Sequence, residues 1–184
     1  MIAFLRFLGV LNAAIWFGSN FYFTFVGAPT FFTDAFKYLF PEPYHGAAAQ
    51  LAIARHFILN YWCAVVAGLH LAAEWLYAGR DVRRAMVWLL GSLFAVALLG
   101  GVWLQPKLKE LTVIVHADHY RPKRMPTATE RADARAAFRR WHGASQMLNL
   151  AMLGGLTIFL WQTVRADSPA RSLLAPKFGI DNRS

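Results

Sequence analysis

The stretch that decides the fold is residues 56–78, HFILNYWCAVVAGLHLAAEWLYA, with Arg55 before it and Arg80 shortly after it. A helix needs about 20 apolar residues to cross the roughly 30 Å hydrocarbon core of a bilayer. This stretch is long enough, and the charges that bracket it favour water or headgroups. The sequence therefore predicts a transmembrane helix here.

Three other stretches fit the same description, and their tryptophans lie mostly near the ends, as is typical of an aromatic belt. They run from about Ile2 to Val26, from Ala85 to Leu104 and from Trp141 to Val164. We therefore predict an all-α fold, a four-transmembrane-helix bundle that forms one domain over residues 1–165. A polar tail over residues 166–184 follows it.

The composition agrees with a membrane protein. Hydrophobic residues make up 57% of the 184-residue chain and charged residues only 16%, although Lys and Arg outnumber Asp and Glu by 19 to 10. Soluble domains are about 45–50% apolar and about 25% charged. Because the apolar residues are concentrated in blocks, an ordinary soluble domain, a disordered chain and a nucleic-acid binder are excluded. The single cysteine excludes an intrachain disulfide.

The connections between the spans differ in character. Phe32, Phe36, Leu39 and Phe40 recur at helical spacing before Pro41, which predicts a short helix lying in the membrane interface. Residues 79–84 are predicted to form a tight turn, whereas residues 107–140 are predicted as a long basic loop. Thr127 and Glu130 fit a capping box, so the fourth helix is predicted to begin there and to extend beyond the membrane.

Four spans would place both termini on one side of the membrane. Counts of Lys and Arg do not decide which side, but the amino end of the first helix is positive, which favours cytoplasmic termini. In that case the basic loop would face an acidic protein or an outer lipid. In the opposite orientation it would hold anionic headgroups.

Polar residues recur on one face of three of the predicted spans. Since lipid offers no hydrogen bonds, these faces should turn into the bundle. They carry Asn12, Trp16, Ser19 and Asn20 in the first span, His56, Asn60, Cys63, His70 and Glu74 in the second, and His142, Ser145 and Asn149 in the fourth. Hydrogen bonding between helices and a functional polar pathway both explain this pattern.

Arg6 and Glu74 should lie at similar depth on the same side, which predicts an ion pair because either charge alone is costly near hydrocarbon. Alternatively, Arg6 reaches the headgroups and Glu74 is protonated or pairs with His70. A Glu74–His70 pair would be suited to proton relay.

Two further ideas concern the histidines. His56 and His142 each open a span just after an arginine, and as axial ligands they would suit a b-type haem. His116, Asp118 and His119 offer weak candidates for a divalent metal. The alternative is histidines at headgroup level that bond to neighbours, and no cofactor is expected. No motif for catalysis occurs, so no catalytic residue is assigned.

Four motifs in order carry a family resemblance: Trp16-Phe17-Gly18, Ala28-Pro29-Thr30-Phe31, Phe40-Pro41 with Tyr44, and His142-Gly143-Ala144-Ser145 with Asn149. Together they resemble the transmembrane protein 205-like family over the first 165 residues. The resemblance implies a four-helix, multi-pass protein without an agreed activity. Bacterial members are mostly labelled as a domain of unknown function. We expect the protein to lie in the cytoplasmic membrane of a bacterium.

These observations predict a polar pocket at one membrane face, formed by Asn12, Trp16, Asn20, His56, Asn60, His142, Ser145 and Asn149. The protein is expected to be a non-enzymatic scaffold or accessory subunit whose partners are the lipid bilayer, anionic headgroups or a larger membrane complex, and no nucleic acid. The alternative is a small transporter or a proton-, haem- or metal-handling protein that uses His56, His70, Glu74 and His142.

Overall fold

A computed structural model describes residues 2–78 and 84–166, which are helical almost throughout. The elements in chain order are α1 (Ile2–Tyr22), a π-helical turn π1 (Phe23–Gly27), α2 (Ala28–Thr30), α3 (Asp34–Leu39), α4 (Tyr44–Ala78), α5 (Arg84–Leu98), a second π-helical turn π2 (Leu99–Leu104), α6 (Gln105–Val115), α7 (Ala117–Tyr120) and α8 (Ala128–Ala166). These ranges contain no strand, which confirms the all-α prediction. The predicted turn at 79–84 and the tail at 166–184 fall largely outside the described residues.

Four helical rods pack side by side: α1, α4, the continuous α5–π2–α6 segment and α8. α1 packs against α4 and α8, and α5 packs against the same two helices. α6 continues along α8. The arrangement buries an aromatic pair at its centre, where the rings of Trp16 and Phe159 meet edge to face at 6.0 Å.

Three of these rods, not four, are long and apolar enough to cross a membrane within the part of the chain that the structure describes. They are Tyr44–Leu76, Arg84–Val115 and Ala128–Arg165. The prediction that Ile2 to Val26 forms a fourth span is therefore wrong. Arg6, Asn12 and Asn20 interrupt α1 and lower its apolar content. The prediction that both termini share one side rested on an even number of crossings and loses that support.

The long basic loop predicted over residues 107–140 is also corrected. The third rod continues as helix to Val115, and α8 already begins at Ala128. Pro106 does not end the helix because it lies in the first turn of α6, directly after π2. The π-helical turn before it shifts the backbone hydrogen bonds to the wider pattern, with the N–H of Gln105 on the carbonyl of Gly100, and the rod continues through the proline. Pro29 likewise follows a π-helical turn, since it lies in the first turn of α2 directly after π1.

The predicted start of the fourth helix is confirmed. Glu130 accepts the backbone N–H of Thr127 at 2.7 Å, and Thr127 Oγ1 accepts the backbone N–H of Glu130 at 3.2 Å. This is the reciprocal pattern of a capping box. Thr33 likewise caps the short helix α3, which lies where the sequence predicts a helix before Pro41.

The outer surface of the bundle is apolar. Among its most exposed side chains are Trp88 at 76%, Met147 at 68% and Leu69 at 66%. Soluble monomers rarely expose extended apolar surface of this kind. The distribution is that of a helical bundle surrounded by acyl chains.

Glycines allow close approaches between helices. A Cβ on Gly9 of α1 would overlap the His70 ring of α4. Gly100 and Gly101 of π2 make room in the same way for Phe57 and Tyr61 of α4. Gly18 of α1, in contrast, has open space where a Cβ would lie.

Gly9→Ala should therefore destabilise the bundle, because the added methyl group forces the His70 ring or a helix to move, at a cost of about 1–3 kcal/mol. Gly18→Ala is the matched control and should be neutral or stabilising by up to about 1 kcal/mol, since alanine favours helix. Thermal unfolding in detergent micelles measures both. Equal midpoints for the two variants would show that the His70 ring is not held against α1.

Candidate functional site

A set of buried polar side chains joins α1 to α4 in the bundle interior. Trp16 donates its indole N–H to Oδ1 of Asn60 at 2.6 Å, and Asn20 donates to the same oxygen at 2.8 Å. Asn60 in turn donates to the backbone carbonyl of His56 at 3.1 Å. The three side chains are 0%, 1% and 3% exposed, so water does not compete for these bonds.

His56 extends this network from the side of α4. Its Nε2 lies 3.1 Å from Oδ1 of Asn20, and its ring stacks on Phe23 with centroids 4.4 Å apart. Because an amide oxygen only accepts, the contact requires that His56 carry its proton on Nε2. That nitrogen is therefore engaged within the protein.

Two further asparagines complete what we call the hydrogen-bonded cluster. Asn12 donates to the carbonyl of Cys63 at 2.9 Å. Asn149 of α8 donates to Thr24 Oγ1 at 2.7 Å, and Thr24 donates to the carbonyl of Asn20. The cluster comprises Asn12, Trp16, Asn20, Thr24, His56, Asn60 and Asn149, and it links α1, α4 and α8.

A cavity of about 390 Å³ lies at the end of the bundle where α4 and α8 begin, and we call it the end cavity. Its aromatic lining consists of Phe23, Phe31, Phe32, Phe57 and Phe138. Its polar lining consists of Glu42, His45, Gln50, Gln105, Thr112, His116, Arg135, Arg139, His142 and Ser145. Apolar walls with a few polar groups are typical of small-molecule sites.

The predicted polar pocket is therefore two features. Six of its eight residues belong to the hydrogen-bonded cluster, whereas His142 and Ser145 line the end cavity. His142 is exposed, stacks on Phe138 with centroids 5.7 Å apart, and accepts from Gln146 at 3.3 Å. Phe23 is the shared wall, since it stacks on His56 and also lines the cavity.

Several residues of the end cavity escaped the sequence reasoning. His45 and Gln50 precede His56, where the second span was predicted to begin, so the first turns of α4 were not considered. Gln50 donates to Thr112 Oγ1 at 2.9 Å and receives a bond from Gln105 at its carbonyl, which ties α4 to α6. The i, i+4 spacing of Arg135 and Arg139 on the predicted fourth helix is a signal that could have indicated this site.

The opposite end of the bundle holds Arg6 and Glu74. Nε of Arg6 lies 3.1 Å from Oε1 of Glu74, with the two side chains 32% and 14% exposed. Glu74 thus bonds to α1, while the His70 ring lies one turn away against Gly9. The geometry is that of the ion pair predicted from matched depth.

The three weak metal candidates lie near the end cavity without forming a metal site. Asp118 accepts two hydrogen bonds from Arg131, at 2.7 and 2.9 Å, which lower the pKa of its carboxyl. The His119 ring meets Tyr44 edge-on at 6.3 Å, and His116 lines the cavity. Within residues 2–78 and 84–166, no three His, Cys, Asp or Glu side chains are grouped to hold a metal.

Comparison with known proteins gives one match. The model of a family described as "Domain of unknown function (DUF4149)" matches residues 11–116, from α1 to the end of α6. The match does not confirm the resemblance to the transmembrane protein 205-like family. No curated protein and no solved structure matches the chain.

Asn60→Leu should lower the free energy of unfolding by about 2–5 kcal/mol, because it leaves the Trp16 indole N–H and an Asn20 amide hydrogen buried without their acceptor. Asn149→Leu removes only the bond to Thr24, so we expect about 1 kcal/mol. Denaturation in micelles compares the two variants. A cost for Asn60→Leu no larger than that for Asn149→Leu would contradict the central position of Asn60.

Proposed function

We propose, from the premise that this chain belongs to the DUF4149 family of unknown function, that it is a multi-pass integral membrane protein that binds a small membrane component in the end cavity. The proposed role is binding rather than catalysis, as in a scaffold or accessory subunit.

Membrane insertion is supported by the two surfaces of the bundle. The outward surface is apolar over three helices long enough to span a bilayer. The inward surface carries the hydrogen-bonded cluster, whose polar groups bond to one another. This is the distribution that a bilayer requires, because acyl chains satisfy no hydrogen bond.

The observation that carries the binding role is the end cavity itself. It is lined by residues of π1, α2, α4, π2, α6 and α8 and of the connections between them, and it combines aromatic walls with polar groups. Trp103 and Trp141 pack edge to face at 5.0 Å beside it, and tryptophans favour the membrane interface. A component of the bilayer therefore reaches the cavity from within the leaflet.

The alternative function is that of a small transporter or of a proton-, haem- or metal-handling protein, with His56 and His142 as haem ligands or His70 and Glu74 as a proton relay. The four side chains occupy three environments. His56 lies in the cluster, His142 lies in the cavity, and His70 and Glu74 lie towards the opposite end. Because these side chains are separated, they support a shared proton, haem or metal site less well than the end cavity supports binding.

We propose further that the chain lies in the cytoplasmic membrane of a bacterium, with the Arg6 end of the bundle on the cytoplasmic side. Arg6, Arg84 and Arg165 lie towards this end, and positive residues favour the cytoplasm. A fluorescent protein fused after Ser184 should fluoresce, and alkaline phosphatase at the same point should be inactive. The reverse result would place the end cavity on the cytoplasmic side.

Filling the cavity should remove the bound component. Gly46 lines the cavity, and a Cβ atom added there meets no atom within 4 Å. We expect Gly46→Leu to reduce the lipid that co-purifies in native mass spectrometry by at least about tenfold, the effect of losing 1.4 kcal/mol of binding free energy. Gly68→Leu is the matched control, since Gly68 lies on the same helix with equal space but outside the cavity.

Both variants gain similar helix propensity, so a difference between them reports on the cavity. Equal amounts of co-purified lipid in the two variants, or none in the unaltered protein, would contradict the proposed function.

A further inference from the structure

Two arginines at the end cavity differ from their neighbours in having no carboxylate partner. Arg124 pairs with Glu130 and Arg131 pairs with Asp118, at 3.0 and 2.7 Å. Arg135 and Arg139 form no ion pair with any residue in the described ranges, although both line the cavity. They are one helical turn apart on α8, so they share one face of that helix, and both residues are exposed at the mouth of the cavity.

His45 adds an unsatisfied group to the same lining. Its side chain is 9% exposed, and Nδ1 is buried without a hydrogen-bond partner among the described residues. A buried polar atom left without a partner is costly, so such atoms are uncommon. The Phe32 ring meets the imidazole edge-on at 5.9 Å and offers no conventional acceptor. A polar ligand in the cavity would supply the missing partner.

The charged side chains of the lining lie towards one end of the cavity. From His45 to Phe57 the lining follows α4 for 12 residues, and from Arg135 to Ser145 it follows α8 for 10 residues. These lengths correspond to about 18 and 15 Å of helix rise. The histidine and the arginines lie at the outer end, whereas Phe57 and Gly100 lie towards the hydrocarbon. The site is elongated and amphipathic.

The charges favour an anion at the outer end. Glu42 is the carboxylate on the lining, opposed by Arg135 and Arg139, and the remaining titratable groups are His45, His116 and His142. The arginines exceed the carboxylate by one charge when the histidines are neutral. A volume of about 390 Å³ is near the lower limit of small-molecule sites, which favours one hydrocarbon chain over two.

We infer that the end cavity binds a single-chain amphiphile with an anionic head, a carboxylate or a phosphate monoester, whose head is held by Arg135, Arg139 and His45. The chain of the ligand lies along Phe57 towards π2. This inference rests on the proposed function and specifies its ligand. Guanidinium groups suit both heads because they donate paired hydrogen bonds to carboxylate and phosphate oxygens.

The test measures binding to the full chain in nanodiscs of phosphatidylcholine, with four probes. Laurate, dodecyl phosphate and dodecanol share one chain length, and inorganic phosphate has no chain. We expect laurate and dodecyl phosphate to bind at least tenfold more tightly than dodecanol, and inorganic phosphate to bind far more weakly. The double variant Arg135→Gln/Arg139→Gln should abolish the preference for the anions and leave dodecanol binding unchanged.

The matched control is Arg140→Gln, on the same helix but outside the end cavity, which should retain the preference. His45→Phe should weaken the binding of the two anions and of dodecanol by several fold, because each presents an oxygen to Nδ1.

Equal affinity for laurate, dodecyl phosphate and dodecanol would overturn the anionic head and leave the proposed function intact. Inorganic phosphate that binds as tightly as dodecyl phosphate would overturn the amphiphile. Failure of all four probes to bind would contradict the proposed function itself.

Discussion

The structure depends on polar groups inside the bundle finding partners there, because its outer surface is apolar and offers none. The side chain of Asn60 illustrates this constraint, since its oxygen accepts from both Trp16 and Asn20 while its nitrogen donates to a backbone carbonyl. Sliding α1 along α4 by one turn would break these bonds without replacement by water. The cluster therefore fixes the register of the two helices, and every feature along them follows from that register.

Features that depend on a single helix were predictable from the sequence. The spacing of His56 and Asn60 on one face indicated the inward side of α4, and the Thr127–Glu130 pattern indicated where α8 begins. The depth of Arg6 and Glu74 along their own helices was enough to suggest a contact that the structure shows at 3.1 Å. Each of these arguments needs only helical geometry and the cost of burying charge.

Features that depend on how helices combine were not predictable. An apolar run of adequate length suggested a fourth span, but the polar residues of α1 reduce its hydropathy while their partners on α4 and α8 satisfy them. Pro106 suggested a helix end, yet the preceding π2 turn lets the helix continue. The end cavity combines residues from π1 to α8, and no single-sequence pattern brings Phe23, His45 and Arg139 together.

The rods are also longer than a membrane is thick. α8 has 39 residues and α4 has 35, which correspond to about 58 and 52 Å against a hydrocarbon core of about 30 Å. Trp141, which contacts Trp103, lies well inside the length of α8. If these tryptophans lie at the membrane interface, the first turns of α8 extend beyond the acyl region at the outer end. If the end cavity binds an amphiphile as proposed, its mouth would meet hydrocarbon, headgroup and water in turn, and the ligand would enter tail first from the leaflet rather than through bulk solvent.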